Sequence, residues 1–462
     1  MLQTLIQAWK IADLRKKLLF TAFILLVFRI GSSITIPFVQ LVGDQGIIAD
    51  VNNDNSFLSY LNMMTGNAFN YATILAMSIT PYINSSIIMQ LLAVAIPALE
   101  RLQKEGEEGR KKIATITRYV TIGLGLMQST AYYFFLRNQG FLMGDANGNA
   151  FTGFFMVLEA LVIIFVLTAG AAVTMWLGER ITEKGIGNGV SMLLFAGIVA
   201  RIPQLVTVLF SPKDGYIRHG GPYYFLAPIA GLSLLAMVAF IVWMDNAERR
   251  IPVQYAKRVV GRKMYGGQST HIPIKVNMSG VMPVIFASSI LSLPPTIQMF
   301  IAAPADGSFW AGFFKVFENT NPVYAVIYFV LIIGFAYFYA SIQYDPVEMS
   351  NNIRKNSGTI PGYRPGQPTA DYIKRILSRI TLLGALMLSV VALFPIVFSL
   401  IANGILALAN LTVSDGAGGT TPATMSIAMG GTSIIIMVGV ALETAKQLES
   451  QMMMRHYKGF LD

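Results

Sequence analysis

The chain has no cysteine and few charged residues, and both absences restrict what it is. A sequence without cysteine forms no disulfide, no thiolate metal site and no cysteine nucleophile. Charged residues make up 13% of the 462 residues, about half the usual share for a globular protein, whereas hydrophobic residues make up 54%. This composition excludes an ordinary water-soluble domain and favours a chain that lies in a membrane.

Catalytic motifs are also missing. The sequence contains no HExxH, P-loop, Gly-x-Ser-x-Gly or paired-carboxylate signature. The run Gly-Ile-Gly-Asn-Gly that starts at Gly185 has no preceding strand, and we interpret it as a flexible hinge. Arg29 and Glu159 are the main ionisable residues inside apolar runs, fewer than an ion-coupled transporter usually requires. We therefore expect no enzyme activity, no metal site and no cofactor.

Apolar runs of about 20 residues recur along the whole chain, each long enough to cross a hydrocarbon core of about 30 Å. They predict an all-α polytopic membrane protein with ten transmembrane helices. Arg29 interrupts the first run and no small-residue cleavage site follows, so we expect a retained helix and not a signal peptide. The ten predicted spans are 18–36, 72–96, 113–136, 154–176, 189–208, 225–243, 279–302, 323–342, 380–402 and 426–441.

Basic residues concentrate on one side of these spans. With ten spans, both termini and the loops after spans 2, 4, 6 and 8 share one side, and these segments hold 28 of the 34 Lys and Arg residues when Arg118, near the start of span 3, is included. Because basic residues near span ends stay in the cytoplasm, we expect both termini inside. The net charge of +10 is then a property of the cytoplasmic surface.

Two predicted cytoplasmic loops are much longer than a connection between helices requires. Loop 245–275 carries seven basic residues against two acids, and its alternating IPVQYA stretch and Gly-Gly pair predict a short hairpin. Loop 343–379 is rich in Pro and Gly around Arg364, which predicts a rigid turn that offers this arginine to carboxylates of a partner. A merely solvated arginine is the alternative. Neither loop has a recognised RNA-binding motif, so we expect no sequence-specific binding of nucleic acid.

The outer segment 37–70 has three acids and no basic residue. Its moderately apolar second half is too short to span, so it predicts either a short helix folded back into the protein or a helix lying on the membrane. Ten spans also permit two pseudo-symmetric inverted halves of five, at 1–208 and 209–462.

Six segments together resemble the SecY family, which forms the channel of the bacterial protein-export translocon. They occur in the family's order and extend over essentially the whole chain. The end of span 1, TIPFVQ, departs from the family because it lacks the usual Pro-Gly pair. The segments are ITPYINSSIIMQLL (79–92), KEGEEGRKKI (104–113), TEKGIGNGVSMLLFAGIV (182–199), GVMPVIFASSI (280–290), IPGYRPGQPTADYI (360–373) and GGTSIIIMVGVALETAKQLESQMMMRHYKGFL (430–461).

The resemblance implies an hourglass pore with a constriction of aliphatic side chains from spans 2, 5, 7 and 10. Helix geometry independently supports two pairs in this constriction, Ile83 with Ile87 and Val190 with Leu194. Residues four apart share one face of a helix, so both members of each pair can point towards one axis. A narrow apolar ring excludes water and ions, yet makes no specific bond to a passing peptide. Val190 and Leu194 are mild departures, since the family favours isoleucine there. The six implied ring residues are Ile83, Ile87, Val190, Leu194, Ile285 and Ile436.

The resemblance also implies a plug helix and a lateral gate. The plug corresponds to about 57–67, with Gly66 as a hinge, and closes the outer funnel at rest. The gate lies between spans 2–3 and 7–8, where Gln90 and Gln128 are polar residues suited to bonding across the seam. The implied plug residues are Leu58, Leu61, Met64 and Gly66.

The family supplies partners for the basic loops. Its loops after spans 6 and 8 bind the motor ATPase SecA and the ribosome, and its channel subunit assembles with SecE and SecG. We therefore expect a channel in the bacterial plasma membrane that passes signal-sequence-bearing preproteins outward and transmembrane segments into lipid. A secondary transporter and a scaffold or insertase without a pore are the alternatives. The implied partner-binding residues are Arg249, Arg250, Lys257, Arg258 and Arg364, which make one composite surface of the two loops.

Overall fold

The structure is a computed structural model, and the chain it describes is mainly helical. It describes residues 2–40, 65–143, 153–211, 216–219, 221–255, 258–260, 263–265, 269–298, 308–317, 321–408, 412–414, 420–422, 425 and 430–458. Sixteen α-helices, one short 3-10 helix at Tyr216–His219 and seven short strands lie within these residues.

The first eight helices are α1 Leu2–Lys10, α2 Ala12–Gly31, α3 Thr80–Ala95, α4 Pro97–Lys104, α5 Glu107–Asn138, α6 Phe154–Lys184, α7 Gly189–Val199 and α8 Ile202–Phe210. The other eight are α9 Tyr223–Asn246, α10 Met282–Leu291, α11 Leu293–Gln298, α12 Phe309–Val316, α13 Pro322–Gln343, α14 Pro346–Lys355, α15 Gln367–Leu408 and α16 Gly431–Lys458. The strands are β1 Glu248–Tyr255, β2 Arg258–Val260, β3 Lys263–Tyr265, β4 Ser269–Lys275, β5 Gly358–Thr359, β6 Thr412–Ser414 and β7 Thr420–Pro422.

Each of the ten predicted spans contains helix in the structure. Within the described residues, five helical segments are long and apolar enough to cross a bilayer: α6, α7 with α8, α9, α13 with α14, and α15. A sixth candidate is α3 with α4, a pair bent by 107°. The chain is therefore a mostly helical protein with several candidate membrane spans.

The second predicted span starts too early, at residue 72. Residues 65–79 are mostly buried but not helical, and α3 begins only at Thr80. Ala72 and Ser78 have φ values of 43° and 47°, in the left-handed region that interrupts a right-handed helix. The chain pairs here with the end of span 1, where Ile36 N donates to Ala72 O at 2.9 Å. Hydropathy alone does not register this local backbone geometry.

The seventh and ninth predicted spans also differ from the helices observed. Span 7 breaks at Ser292, between α10 and α11, because Pro294 and Pro295 cannot continue the hydrogen-bond ladder of a helix. Span 9 belongs to α15, which has 42 residues and is therefore about 63 Å long. Its first turns, before residue 380, lie in the predicted cytoplasmic loop.

The two long basic loops share one small domain. The hairpin predicted for loop 245–275 is confirmed, with β1 antiparallel to β4 and Ile251 opposite Ile272. Strand β5 of the second loop adds to the other edge of β1, giving the order β4-β1-β5. Ile251 and Val253 of the hairpin share an apolar cluster with Ile353 and Ile373 of the second loop. The two loops therefore pack together, and a docking surface composed of both stays a prediction.

Candidate functional site

All six predicted ring residues belong to one apolar cluster. Ile83, Ile87, Leu194, Ile285 and Ile436 are buried members, and Val190 is half-buried and packs against them. They come from helices α3, α7, α10 and α16, which are far apart in the sequence. The cluster therefore brings together side chains from the four spans that were expected to contribute.

Local sequence fixes how two of these helices present their residues. Asn188 caps α7 through its side-chain oxygen, which accepts from Val190 N at 3.1 Å and Ser191 N at 3.4 Å. On α3, the Ser85 hydroxyl donates to Thr117 O of α5 at 2.8 Å. This bond turns the Ser85 face of α3 towards α5.

The segment 185–188 before α7 is packed and anchored. Ile186 is 2% exposed, and its backbone N donates to the Thr21 hydroxyl of α2 at 3.2 Å. These contacts do not support our interpretation of the run 185–189 as a flexible hinge. The run instead leads into α7, which Asn188 caps.

Three of the four predicted plug residues, Leu58, Leu61 and Met64, lie outside the described residues. Gly66 is described, is buried and has φ of +64°. A Cβ added to Gly66 would lie 2.9 Å from Gly197 Cα, so its backbone touches α7 directly. Glycine is therefore the residue that this contact accommodates.

The irregular segment that follows Gly66 is fastened to α5. Tyr132 donates its hydroxyl to Phe69 O at 2.7 Å, and the two rings lie 4.5 Å apart. Thr65 accepts from Phe69 N at 3.1 Å, and Thr73 donates to Ala68 O at 3.2 Å. Buried backbone groups must be paired, and these side chains pair several of them without a helix.

The two predicted gate glutamines differ in position. Gln128 is half-buried and lines a cavity of about 40 Å³, a volume that accommodates about three water molecules. Gln90 is exposed, and its amide donates along its own helix to Ser86 Oγ at 3.4 Å. Gln128 therefore faces the seam between helices, whereas Gln90 makes a contact within α3.

Sequence reasoning missed most of the polar lining of this seam. Thr80 and Asn84 of α3 contribute to the cavity from one side, and Ser292 and Thr296 contribute from the α10–α11 side. The Thr80 hydroxyl and Asn84 Oδ1 are buried without a hydrogen-bond partner among the described residues. Polar residues in otherwise apolar predicted spans were the available signal.

The predicted docking arginines of the first loop lie on β1 and β2. Arg249 and Arg250 are adjacent on β1, so their side chains leave opposite faces of the sheet. Arg250 forms an ion pair with Glu248 at 2.7 Å, and both side chains are solvent-accessible. Arg258 lies on β2, although its side chain is outside the described part, and Lys257 is outside it altogether.

Arg364 stands on a stiffened turn, as the Pro and Gly content predicts. Gly362 and Gly366, on either side of the arginine, have φ of 88° and 105°, a region that glycine adopts at no steric cost. Thr369 donates its hydroxyl to Arg364 O at 2.7 Å, and Ser350 donates to Gly366 O at 2.8 Å. The guanidinium itself is exposed and has no ion pair within the described residues.

Comparison with known proteins identifies a full-length family match. A SecY family model matches residues 73–445. The protein translocase subunit SecY of Mycobacterium bovis is 42% identical, and that of Streptomyces scabiei is 43% identical, with both alignments covering 100% of each chain.

Solved structures share the fold at lower identity. A protein-conducting channel is similar with a TM-score of 0.59 and 17% identity, over 94% of this chain and 92% of that one. Sec61 from a canine ribosome–channel complex has a TM-score of 0.58, also at 17% identity and with the same coverage. Since the family model and both relatives cover most or all of the sequence, the chain belongs to the SecY family.

Proposed function

We propose that this chain is the pore-forming subunit of a protein translocation channel. It passes unfolded secretory proteins across the membrane and releases transmembrane segments sideways into lipid. The observation that carries the proposal is the full-length match, at 42% identity, to relatives named protein translocase subunit SecY. The chain is a channel subunit and not an enzyme, so a motor or translation supplies the energy.

The pore closes at the six-residue apolar ring. The cluster that contains Ile83, Leu194, Ile285 and Ile436 supports this step, because aliphatic groups from four helices meet in it. A constriction lined in this way is dewetted when narrow. It also makes no specific hydrogen bond, so an extended peptide of any sequence slides through.

The plug, at about 57–67, seals the outer funnel at rest. Two contacts of Gly66 support this placement: its close approach to Gly197 of α7 and its carbonyl's bond to Arg29 of α2. Sideways release uses the seam of spans 2–3 against spans 7–8, which places α3 and α5 against α10, α11 and α13. The cavity around Gln128 supports this seam, because packing contacts are missing where a cavity lies.

Partner docking occurs on the cytoplasmic domain that the two basic loops build. Arg364 is the principal contact for SecA or the ribosome, with Arg249, Arg250, Lys257 and Arg258 around it. The shared sheet β4-β1-β5 supports a composite surface, because it connects the two loops. Sec61 and the yeast Ssh1 complex, two structural neighbours, were both solved on ribosomes. SecE and SecG complete the channel in the membrane.

The ten predicted spans then form two inverted halves, 1–208 and 209–462, around the pore. Both termini lie in the cytoplasm, and the membrane is the bacterial plasma membrane. The asymmetric distribution of Lys and Arg supports this orientation. The close relatives from Mycobacterium and Streptomyces support the bacterial assignment.

Reconstitution tests the proposed function. The chain, together with SecE, SecG and SecA, is placed in vesicles, and protection of a preprotein from added protease is measured with ATP. We expect signal-sequence-dependent protection. No protection in the presence of active partners contradicts a channel, and solute uptake coupled to an ion gradient would favour a secondary transporter instead.

A further inference from the structure

Arg29 is the only charged residue in the apolar part of α2, from Leu18 to Gly31. A guanidinium is costly within a hydrocarbon layer, so its presence requires a reason. It lies in the last turn of α2, where a long side chain reaches the polar edge of the membrane. This position explains how the charge is tolerated but not what it does.

Arg29 has a defined acceptor. Its Nη1 donates to Gly66 O at 3.0 Å, across 37 positions of sequence. Arg29 is the only described donor to this carbonyl, and Arg29 has no ion pair with a described residue. Because Gly66 is buried, its carbonyl would have no donor among the described residues without this arginine.

The bond lies at a chain reversal that is costly to maintain. Gly66 and Asn67 are consecutive residues in the left-handed region, with φ of +64° and 77°. Such a conformation persists where its surroundings hold it, especially at a non-glycine residue such as Asn67. On one side this turn touches Gly197 of α7, and on the other it meets Arg29 of α2.

We propose that Arg29 is a positioning residue that holds the 65–67 turn against Gly197 and so keeps the channel sealed at rest. The hydrogen bond to Gly66 O restrains the turn, and the turn separates from α7 when that bond breaks. This inference rests on the proposed channel function and adds a control point to it. Residues after the turn remain fastened to α5, because Tyr132 donates to Phe69 O, so opening is local to the turn.

The test measures ion leak and preprotein transport in the same reconstituted complex. Arg29→Met removes the donor, and resting leak in planar bilayers is expected to rise about tenfold or more, the effect of losing one hydrogen bond from a charged donor. SecA-driven transport should remain at or above the rate of the unmodified complex. A purely structural role would instead lower transport and thermal stability and leave resting leak unchanged.

Three further variants make the result specific. Arg29→Lys retains a charged donor and should restore most of the seal. Lys315→Gln removes an exposed positive charge from α12, far along the sequence, and should leave the leak unchanged. Gly66→Ala displaces the carbonyl, because its Cβ would lie 2.9 Å from Gly197 Cα. Adding Arg29→Met to Gly66→Ala should then have little additional effect.

Ile436→Asn separates this proposal from the proposed function. If Ile436→Asn raises the leak and Arg29→Met does not, the role of Arg29 is wrong and the channel stands. An unchanged leak in both variants contradicts the ring and the role of Arg29 together. Additive effects of Arg29→Met and Gly66→Ala also overturn the proposal.

Discussion

The core of the helical region and the small domain built by the two basic loops differ in how their polar groups are paired. Around the candidate pore, hydroxyls such as Ser85 bond to neighbouring backbone, and the ring positions are aliphatic. In the domain of the two basic loops, Arg364 stands on a hydrogen-bonded turn with its guanidinium exposed and without a described ion pair. Under the proposed function, the core closes through nonspecific contact between aliphatic groups, whereas the domain of the two basic loops offers specific contacts to a partner.

The largest effect should come from reversing the charge of Arg364. Arg364→Glu replaces attraction to a partner's carboxylates with repulsion, and losing one side of an interfacial charge pair costs about 2 kcal/mol or more, about thirtyfold in affinity. SecA affinity and SecA-driven transport measure the loss. Lys355→Glu makes the same charge change at an exposed position of the same loop and should have little effect. Equal losses in both variants would mean that overall charge, and not Arg364, recruits the partner.

A polar ring residue should have the next largest effect. Ile436→Asn places an amide among aliphatic groups at a position that is 2% exposed, which destabilises the dry closed state. Resting ion leak should rise about tenfold, as expected when a closed state loses about 1.4 kcal/mol. Transport of preproteins with weakened signal sequences should increase with it. Ile436→Leu keeps volume and apolar character and is the matched control.

Loosening the Arg364 turn should have a smaller effect than removing its charge. Ser350→Ala deletes the hydroxyl that donates to Gly366 O at 2.8 Å, a bond that contributes about 1 kcal/mol. SecA affinity should fall about fivefold, the equivalent of that energy. Ser341→Ala removes a hydroxyl that bonds only within α13 and should not change affinity. No difference between the two variants would show that stiffness of the turn is unimportant.

The seam variants should give the smallest change. Gln128→Leu makes the lining of the cavity more apolar and favours the closed seam, and interhelical polar contacts of this kind average about 0.6 kcal/mol. Lateral insertion of a moderately hydrophobic segment should slow about threefold. Gln90→Leu is the control, because Gln90 bonds only to Ser86 of its own helix. If Gln90→Leu slowed insertion more than Gln128→Leu, the lateral gate would not lie at the seam around Gln128.

Much of the fold could be predicted from hydropathy. In a membrane, backbone N–H and C=O groups must bond within the protein, so long apolar runs form helices. The predicted helix boundaries were wrong where proline residues or capping side chains determine the start or end of a helix. Pro294 and Pro295 break span 7, and this signal was visible in the sequence. Helix α14 was not predicted within loop 343–379, although Asp345 caps it and Pro346 begins it, which is a recognised start signal.

The Arg364 turn could be predicted from the sequence, whereas the polar residues within the helical region could not. Arg364 was conspicuous because Pro and Gly surround it, and the structure gives that turn its supporting bonds. Thr80 and Asn84 of the seam were not singled out, because a polar residue in an apolar run does not reveal which helix it faces. The bond from Arg29 to Gly66 joins positions 37 residues apart, and no local sequence pattern predicts it.

Crosslinking of a substrate arrested during transport tests the central claim most directly. Since the chain has no native cysteine, single cysteines at Ile83, Ile436 and Leu232 report position without background. Leu232 is 72% exposed on α9 and serves as the lipid-facing reference. The ring predicts crosslinks to the arrested polypeptide from Ile83→Cys and Ile436→Cys and none from Leu232→Cys. Crosslinks from Leu232→Cys alone would contradict a path through the apolar cluster.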